Sequence, residues 1–95
     1  MVSIVYTDHL KLRLNIRKIP FGYPRKIYQK PELRYYDTIE NTEIAIRKLY
    51  YNQKIRNMAI VYEKKGDNIE IITIHPISEE KLLNRIINRR WVKDE

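Results

Sequence analysis

Two apolar, β-branched runs joined by a short polar segment occupy residues 58–76 and constrain the fold more than any other part of the chain. The polar segment contains Gly66, and this pattern is typical of a β-hairpin. Neither run alternates strictly between apolar and polar residues, since in the second run Ile71 and Ile72 are adjacent. Strands of this kind are usually covered on both faces, so the hairpin is predicted to form the centre of a sheet.

His75 and Pro76 close the second run. Proline has no backbone N–H and is expected to end the strand, which leaves a histidine at the strand end. Histidine is the side chain whose charge changes near neutral pH, so His75 is a candidate for proton transfer. The alternative is that this histidine has a purely structural role.

The 95 residues form one predicted domain, residues 1–95, with room for a single hydrophobic core. Because the chain has no cysteine and its two histidines are far apart, the sequence predicts no disulfide, no metal site and no cofactor. No apolar run is long enough to span a membrane, and the N-terminus lacks the pattern of a signal peptide. The expected location is therefore the cytoplasm, without membrane association.

The net charge of +7 is concentrated in the first third of the chain. Residues 1–31 contain seven lysines and arginines against a single acid, Asp8, whereas residues 32–75 contain seven residues of each sign. A basic block of this kind favours a polyanion or an acidic protein as the partner. The alternative is that the excess charge only solvates the surface.

A first helix is predicted to begin near His9, where the preceding Thr-Asp pair offers an N-cap. On a helical wheel His9, Arg13 and Arg17 fall inside the arc of the apolar residues. Because an unpaired charge facing a core is costly, these side chains either find partners or line a water-filled cleft beside the sheet. The alternative is that the two arginines extend along the rim of the core.

Other local patterns predict the remaining elements. They indicate strands at residues 2–6, 32–38, 43–51 and 55–63, a short basic helix at residues 24–30, and a last helix capped by Ser78. The last helix carries an apolar stripe that is expected to pack on the sheet: Leu82, Leu83, Ile86 and Ile87. Residues 92–95 are expected to form a loose tail. The fold class is α+β, with the order β-α-α-β-β-β-β-α and with N-terminal and C-terminal helices packed on an antiparallel meander sheet.

This element order resembles that of the small ribonuclease-like toxins of the RelE, YoeB and BrnT type. Short motifs also look like those of a family of uncharacterised prokaryotic proteins related to these toxins. The motifs are His9 with Arg13 and Arg17 at spacings of four, Pro31-Glu32 followed by Tyr35-Tyr36-Asp37, the strand ends Val61-Tyr62-Glu63 and Thr73-Ile74-His75-Pro76, and the closing Asn84-Arg85-Ile86 and Arg90-Trp91. The resemblance covers nearly the whole chain.

The resemblance implies a RelE-like fold shared with metal-independent ribonucleases, in which the open face of the sheet holds the RNA backbone. It implies RNA as the substrate and, within a toxin-antitoxin system, an acidic antitoxin as the protein partner. Such cleavage needs a base for the 2′-OH proton, cations for the charge on the phosphate and an acid for the leaving oxygen. The catalytic candidates are His75, His9, Arg13, Arg17 and Arg85. The candidates for RNA binding are Arg13, Arg17, Arg25, Lys26, Tyr35, Tyr36, Tyr62 and Arg90, the tyrosines as base-stacking residues.

Two other functions agree with the same residues. One is a non-catalytic nucleic-acid-binding protein of the same fold, with basic helices for phosphates and tyrosines for bases. The other is a protein-interaction module whose basic face meets an acidic partner and whose sheet edge accepts a strand. The sequence leaves these alternatives and the oligomeric state open.

Overall fold

The computed structural model describes residues 2–94, which form three helices and one six-stranded sheet. The helices are α1 (Asp8–Arg17), α2 (Tyr23–Gln29) and α3 (Glu79–Ile87). The strands are β1 (Ser3–Tyr6), β2 (Leu33–Asp37), β3 (Thr42–Tyr51), β4 (Lys54–Lys65), β5 (Asn68–Ile77) and β6 (Trp91–Lys93). The spatial order is β1-β5-β4-β3-β2-β6, and only β1 and β5 pair in parallel. The predicted α+β class is therefore confirmed, and both strands of the predicted hairpin, β4 and β5, lie inside the sheet. The sheet is not the wholly antiparallel meander that was predicted, because β1 joins it in parallel beside β5.

The start of α1 follows from the local sequence as predicted. The Thr7 hydroxyl accepts a hydrogen bond from the Leu10 amide at 3.1 Å, and Asp8 lies in the first turn, where its charge complements the helix dipole. The Thr7 amide also donates to the carbonyl oxygen of Ile71 at 3.2 Å. This bond fixes the beginning of α1 against β5.

The two faces of the sheet are covered unequally. The first face, which we call the helical face, packs against α1 and α2 in a core that includes Leu10, Leu14, Ile27, Met58, Ile60, Tyr62, Ile71 and Ile74. The opposite face, which we call the open face, carries a smaller cluster formed by Tyr35, Ile44, Ile46, Ala59, Ile77, Leu82 and Trp91. Only α3 lies over this second cluster, and part of the open face is accessible.

The last helix differs from its prediction. Of its apolar stripe only Leu82 is buried, while Leu83 and Ile87 are 54% and 75% exposed. The helix ends at Ile87, three residues before Arg90, and Arg89 has a left-handed φ of 62°. A periodic apolar pattern therefore predicted the helix correctly but not the residues that it buries.

Two strand predictions also need correction. Pro76 does not end β5, because it pairs in register with Met58 and the strand continues to Ile77. A proline is tolerated there because β1 ends at Tyr6, so this part of β5 is an edge within residues 2–94. The predicted tail is also wrong in part, since β6 adds an antiparallel strand beside β2.

Among residues 2–94 no helix has the length and apolar character needed to cross a membrane.

Ile74 is a fully buried core position of β5. We expect Ile74→Ala to lower the free energy of unfolding by about 3 kcal/mol, because it removes packed side-chain atoms and leaves a cavity. Ile72 is the matched control, since it is half-buried on the open face at an irregularity where β4 and β5 change register. Ile72→Ala should cost less than half as much in urea denaturation, and equal losses would contradict the assignment of Ile74 to the core.

Candidate active site

A cavity of about 390 Å³ lies on the open face, and we call it the open-face pocket. Its size is within the range of small-ligand sites. Apolar side chains form one part of its lining: Ile44, Val61, Ile72 and Trp91. Polar side chains form the rest and include His75, Arg85, Arg90, Asp37, Glu40 and Glu63. The pocket thus combines an apolar surface with a histidine, two arginines and three carboxyl groups.

A second cavity of about 430 Å³ lies near the start of α3, beside Lys48, Lys54 and Arg56. It contains no histidine, and its one carboxyl group, on Glu79, accepts a hydrogen bond from Asn57 at 2.8 Å. Of the two cavities, the smaller one is therefore lined by the predicted site residues His75, Arg85 and Arg90.

His75 is placed by the pairing of β5 with β4. It is opposite Ala59 in register, on the open face, and it is half-buried. Burial is the main cause that lowers the pKa of His75 below its ordinary value of 6.5, and the positive charges of Arg17, Arg85 and Lys81 lower it further. The imidazole is therefore neutral at pH 7 and can accept a proton.

The cations around His75 come from two helices on opposite sides of the sheet. Arg17, at the end of α1, donates from Nη1 to the carbonyl oxygen of Ile74 at 3.2 Å and so reaches the edge of β5. Arg85, on α3, has its guanidinium carbon 5.5 Å from the centre of the Trp91 ring. Among residues 2–94 neither arginine forms an ion pair with a carboxylate. Of the two, Arg85 lines the pocket, so its charge is available to an anion beside His75.

Arg90 is held by a buried carboxylate that the sequence did not point to. Asp37 is 3% exposed and accepts hydrogen bonds from the Ile39 and Glu40 amides at 2.9 and 3.0 Å. It also accepts from the Trp91 indole at 3.1 Å and from Arg90 Nε at 3.3 Å.

Burial alone raises the pKa of Asp37, but these four donors outweigh burial and lower the pKa below 3.8. Asp37 is therefore ionised, and it positions Arg90 at the pocket. An acid that ends a strand before a turn is a known turn signal, and it is the one sequence feature that could have indicated this role.

His9 and Arg13 are near each other but not in the pocket. The two residues are one helical turn apart, as predicted, and the distance from Arg13 Nε to His9 Nε2 is 3.4 Å. Neither residue lines the cavity. His9 is exposed on α1. Arg17 does not line the cavity either, but of the three residues in the predicted stripe it is the one whose charge lowers the pKa of His75.

The tyrosines do not present free rings to the pocket. Tyr62 is on the helical face with no exposed surface, and its hydroxyl accepts a hydrogen bond from Arg34. Burial, as the main cause, raises the pKa of Tyr62 to about 12. Tyr35 is buried against Trp91, with the ring centres 6.0 Å apart. Their predicted role as base-stacking residues does not fit these placements.

The remaining predicted RNA-binding residues lie outside the pocket. The hydroxyl of Tyr36 donates to Asn41 Oδ1 at 3.0 Å, and its position next to Tyr35 in β2 places it on the other face of the sheet. Arg25 and Lys26 are exposed on α2, which covers the helical face. Within residues 2–94 there is also no group of three or more His, Asp or Glu side chains that could hold a metal ion.

Glu63, Glu40 and Thr42 are further polar pocket residues that the sequence analysis did not select. For Glu63 a signal existed, because the alternation of β4 places it on the same face as Ala59, opposite His75.

Comparison of the chain with protein-family models, with curated proteins and with solved structures finds no match to any of them.

Proposed function

We propose that this chain is a toxin-like, metal-independent ribonuclease that cleaves RNA in the open-face pocket. The observation that supports this function is a half-buried His75 that shares the open-face pocket with Arg85, a cation without a carboxylate partner among residues 2–94. Burial and the charges of Arg17, Arg85 and Lys81 lower the pKa of His75 and keep it neutral at pH 7. A phosphodiester brings the missing negative charge, and its 2′-OH brings a proton that neutral imidazole accepts.

In the proposed reaction His75 takes the proton of the 2′-OH while the 2′-oxygen attacks the adjacent phosphorus. The bond from phosphorus to the 5′-oxygen breaks, and this oxygen takes a proton from water. The products are a 2′,3′-cyclic phosphate and a 5′-hydroxyl. Arg85, which lines the pocket, stabilises the negative charge on the phosphoryl oxygens, since the guanidinium group matches phosphate geometry. The charge of Arg17 acts from the edge of β5, outside the pocket lining. Arg90, held by Asp37, adds a further donor at the pocket.

A second candidate is a non-catalytic RNA-binding protein. It is favoured by the exposed basic residues of α2, Arg25 and Lys26, which lie on the face opposite the pocket and bind phosphates there without any catalytic group. The acidic antitoxin implied by the resemblance stays a prediction.

The proposal is tested by incubating the protein with end-labelled single-stranded and hairpin RNA, with and without EDTA. We expect cleavage that persists in EDTA and produces 2′,3′-cyclic phosphate ends. Arg85→Gln should reduce the rate by about 10²-fold, because it removes a positive charge at the transition state. Arg89→Gln is the matched control, since Arg89 is exposed and does not line the pocket.

Three results would count against this reaction. Cleavage that stops in EDTA would contradict metal independence, and equal losses from both arginine substitutions would remove the pocket from the reaction. Salt-sensitive binding to RNA without cleavage would favour the second candidate.

A further inference from the structure

The proposed reaction uses only one end of the open-face pocket. His75 lies opposite Ala59, and Glu63 is four residues farther along β4 on the same face. At about 3.3 Å per residue, the backbones of Glu63 and Ala59 are about 13 Å apart. Glu63 therefore marks the other end of the pocket from the proton-transfer group.

The side chain of Glu63 is half-buried, lines the pocket, and has no hydrogen bond or ion pair within residues 2–94. The neighbouring acids differ in this respect. Asp37 accepts four hydrogen bonds, and Glu70, the partner of Glu63 in register, pairs with Lys65 at 3.5 Å. Glu63 is thus a carboxylate in the cavity whose acceptor oxygens are not used by the rest of the structure.

The distance between the two groups decides what Glu63 can do. A group that transfers a proton must be within hydrogen-bond reach of the reacting atom, and Glu63 is too far from His75 to act on the same phosphate. The distance suits the base of a nucleotide whose phosphate lies at His75. Between the two ends, Val61 and Ile72 provide an apolar surface for the flat face of a base.

A carboxylate only accepts hydrogen bonds, so it selects a base by the donors that the base presents. Guanine presents two adjacent donors, N1–H and N2–H, which match both carboxylate oxygens. Adenine and cytosine present one amino group next to an acceptor nitrogen, and uracil presents one N–H between two carbonyl oxygens. We propose that Glu63 is the specificity-determining residue of the open-face pocket and selects guanine in the nucleotide whose phosphate is bound beside His75.

This inference rests on the proposed function, and its test separates the two. The 3′-monophosphates of guanosine, adenosine, cytidine and uridine are titrated into the protein by calorimetry, with inorganic phosphate as a fifth probe. We expect the guanosine nucleotide to bind at least about tenfold more tightly than the other three. Glu63→Gln should remove that preference and leave the affinity for phosphate unchanged. Glu70→Gln is the matched control and should keep the preference.

Two results would overturn the inference while leaving the proposed phosphate site intact. They are equal binding of the four nucleotides by the unsubstituted protein, and an unchanged preference for guanosine in Glu63→Gln. If neither phosphate nor any nucleotide binds, the proposed function fails together with the inference. As a control for folding, the midpoint of thermal unfolding is measured for Glu63→Gln. A midpoint equal to that of the unsubstituted protein shows that a loss of binding does not come from a loss of folding.

Discussion

His75→Ala should lower the rate of RNA cleavage by about 10²–10⁴-fold while changing the affinity for RNA only slightly, because it removes the proposed proton acceptor and leaves the surrounding cations in place. Rates under single-turnover conditions and affinities measured by filter binding give the two quantities separately. His9→Ala is the matched control, since His9 is exposed on α1 and outside the open-face pocket. Full activity of His75→Ala would exclude His75 from the reaction.

The pH dependence of cleavage follows from the same side chain. A general base acts in its neutral form, and burial together with Arg17, Arg85 and Lys81 lowers the pKa of His75 below 6.5. The rate should therefore rise with pH up to this lowered pKa and level off before neutrality. Arg85→Gln removes one of the charges that lower the pKa of His75, so this pKa should rise. The rising part of the pH profile should therefore move to higher pH.

The lowered pKa of His75 also has a consequence for stability. The unfolded chain binds the proton more readily than the folded chain, so the free energy of unfolding should decrease as the pH falls below 6.5. This part of the decrease should be absent in His75→Ala.

Asp37→Ala should lower the free energy of unfolding by about 3–5 kcal/mol. The substitution leaves the Trp91 indole, two backbone amides and the Arg90 guanidinium without the acceptor that they share. Asp37→Asn should lower the free energy of unfolding by less, because the amide oxygen of asparagine still accepts hydrogen bonds. Chemical denaturation measures both values.

Two further measurements check the role assigned to Asp37. The pKa of Asp37 is lower in the folded protein than its ordinary value of 3.8, so the stabilisation by its charge is fully present above pH 3.8. This stabilisation should be lost as the pH falls through the pKa of the folded protein. Asp37→Asn should not show this loss. Glu40→Gln is the control for charge near Arg90, because Glu40 is exposed and 4.0 Å away, and it should change stability by about 0.5 kcal/mol or less. Similar losses from Glu40→Gln and Asp37→Ala would contradict the role of Asp37.

Local sequence patterns predicted the elements whose causes are local. The N-caps at Thr7 and Ser78 and the central hairpin depend on residues a few positions apart, and all three are present. By contrast, β6 is stabilised by its pairing with β2, more than 50 residues earlier in the chain. A three-residue strand has too little pattern of its own to be recognised without that partner.

The candidate site was predictable to a similar extent. His75 and Arg85 were selected by residue type, and the structure brings them together in the pocket. Whether a side chain points into the pocket or the core depends on register, which explains why Tyr62 was expected to stack on a base but is buried beside Arg34. Asp37 was not selected because its importance comes from four donors in two segments that are about 50 residues apart in the chain.

The pairing of β6 with β2 has a consequence for the order in which the molecule becomes functional. Contacts between residues distant in sequence are slow to form, because closing a long loop costs conformational entropy before the contacts stabilise the chain. The Trp91 ring beneath Arg85 and the link from Asp37 to Arg90 both depend on this last strand. A folding intermediate that contains the hairpin and the helical face, but in which β6 has not yet paired, therefore has no complete pocket. In the proposed ribonuclease, cleavage would then begin only when the whole domain has folded.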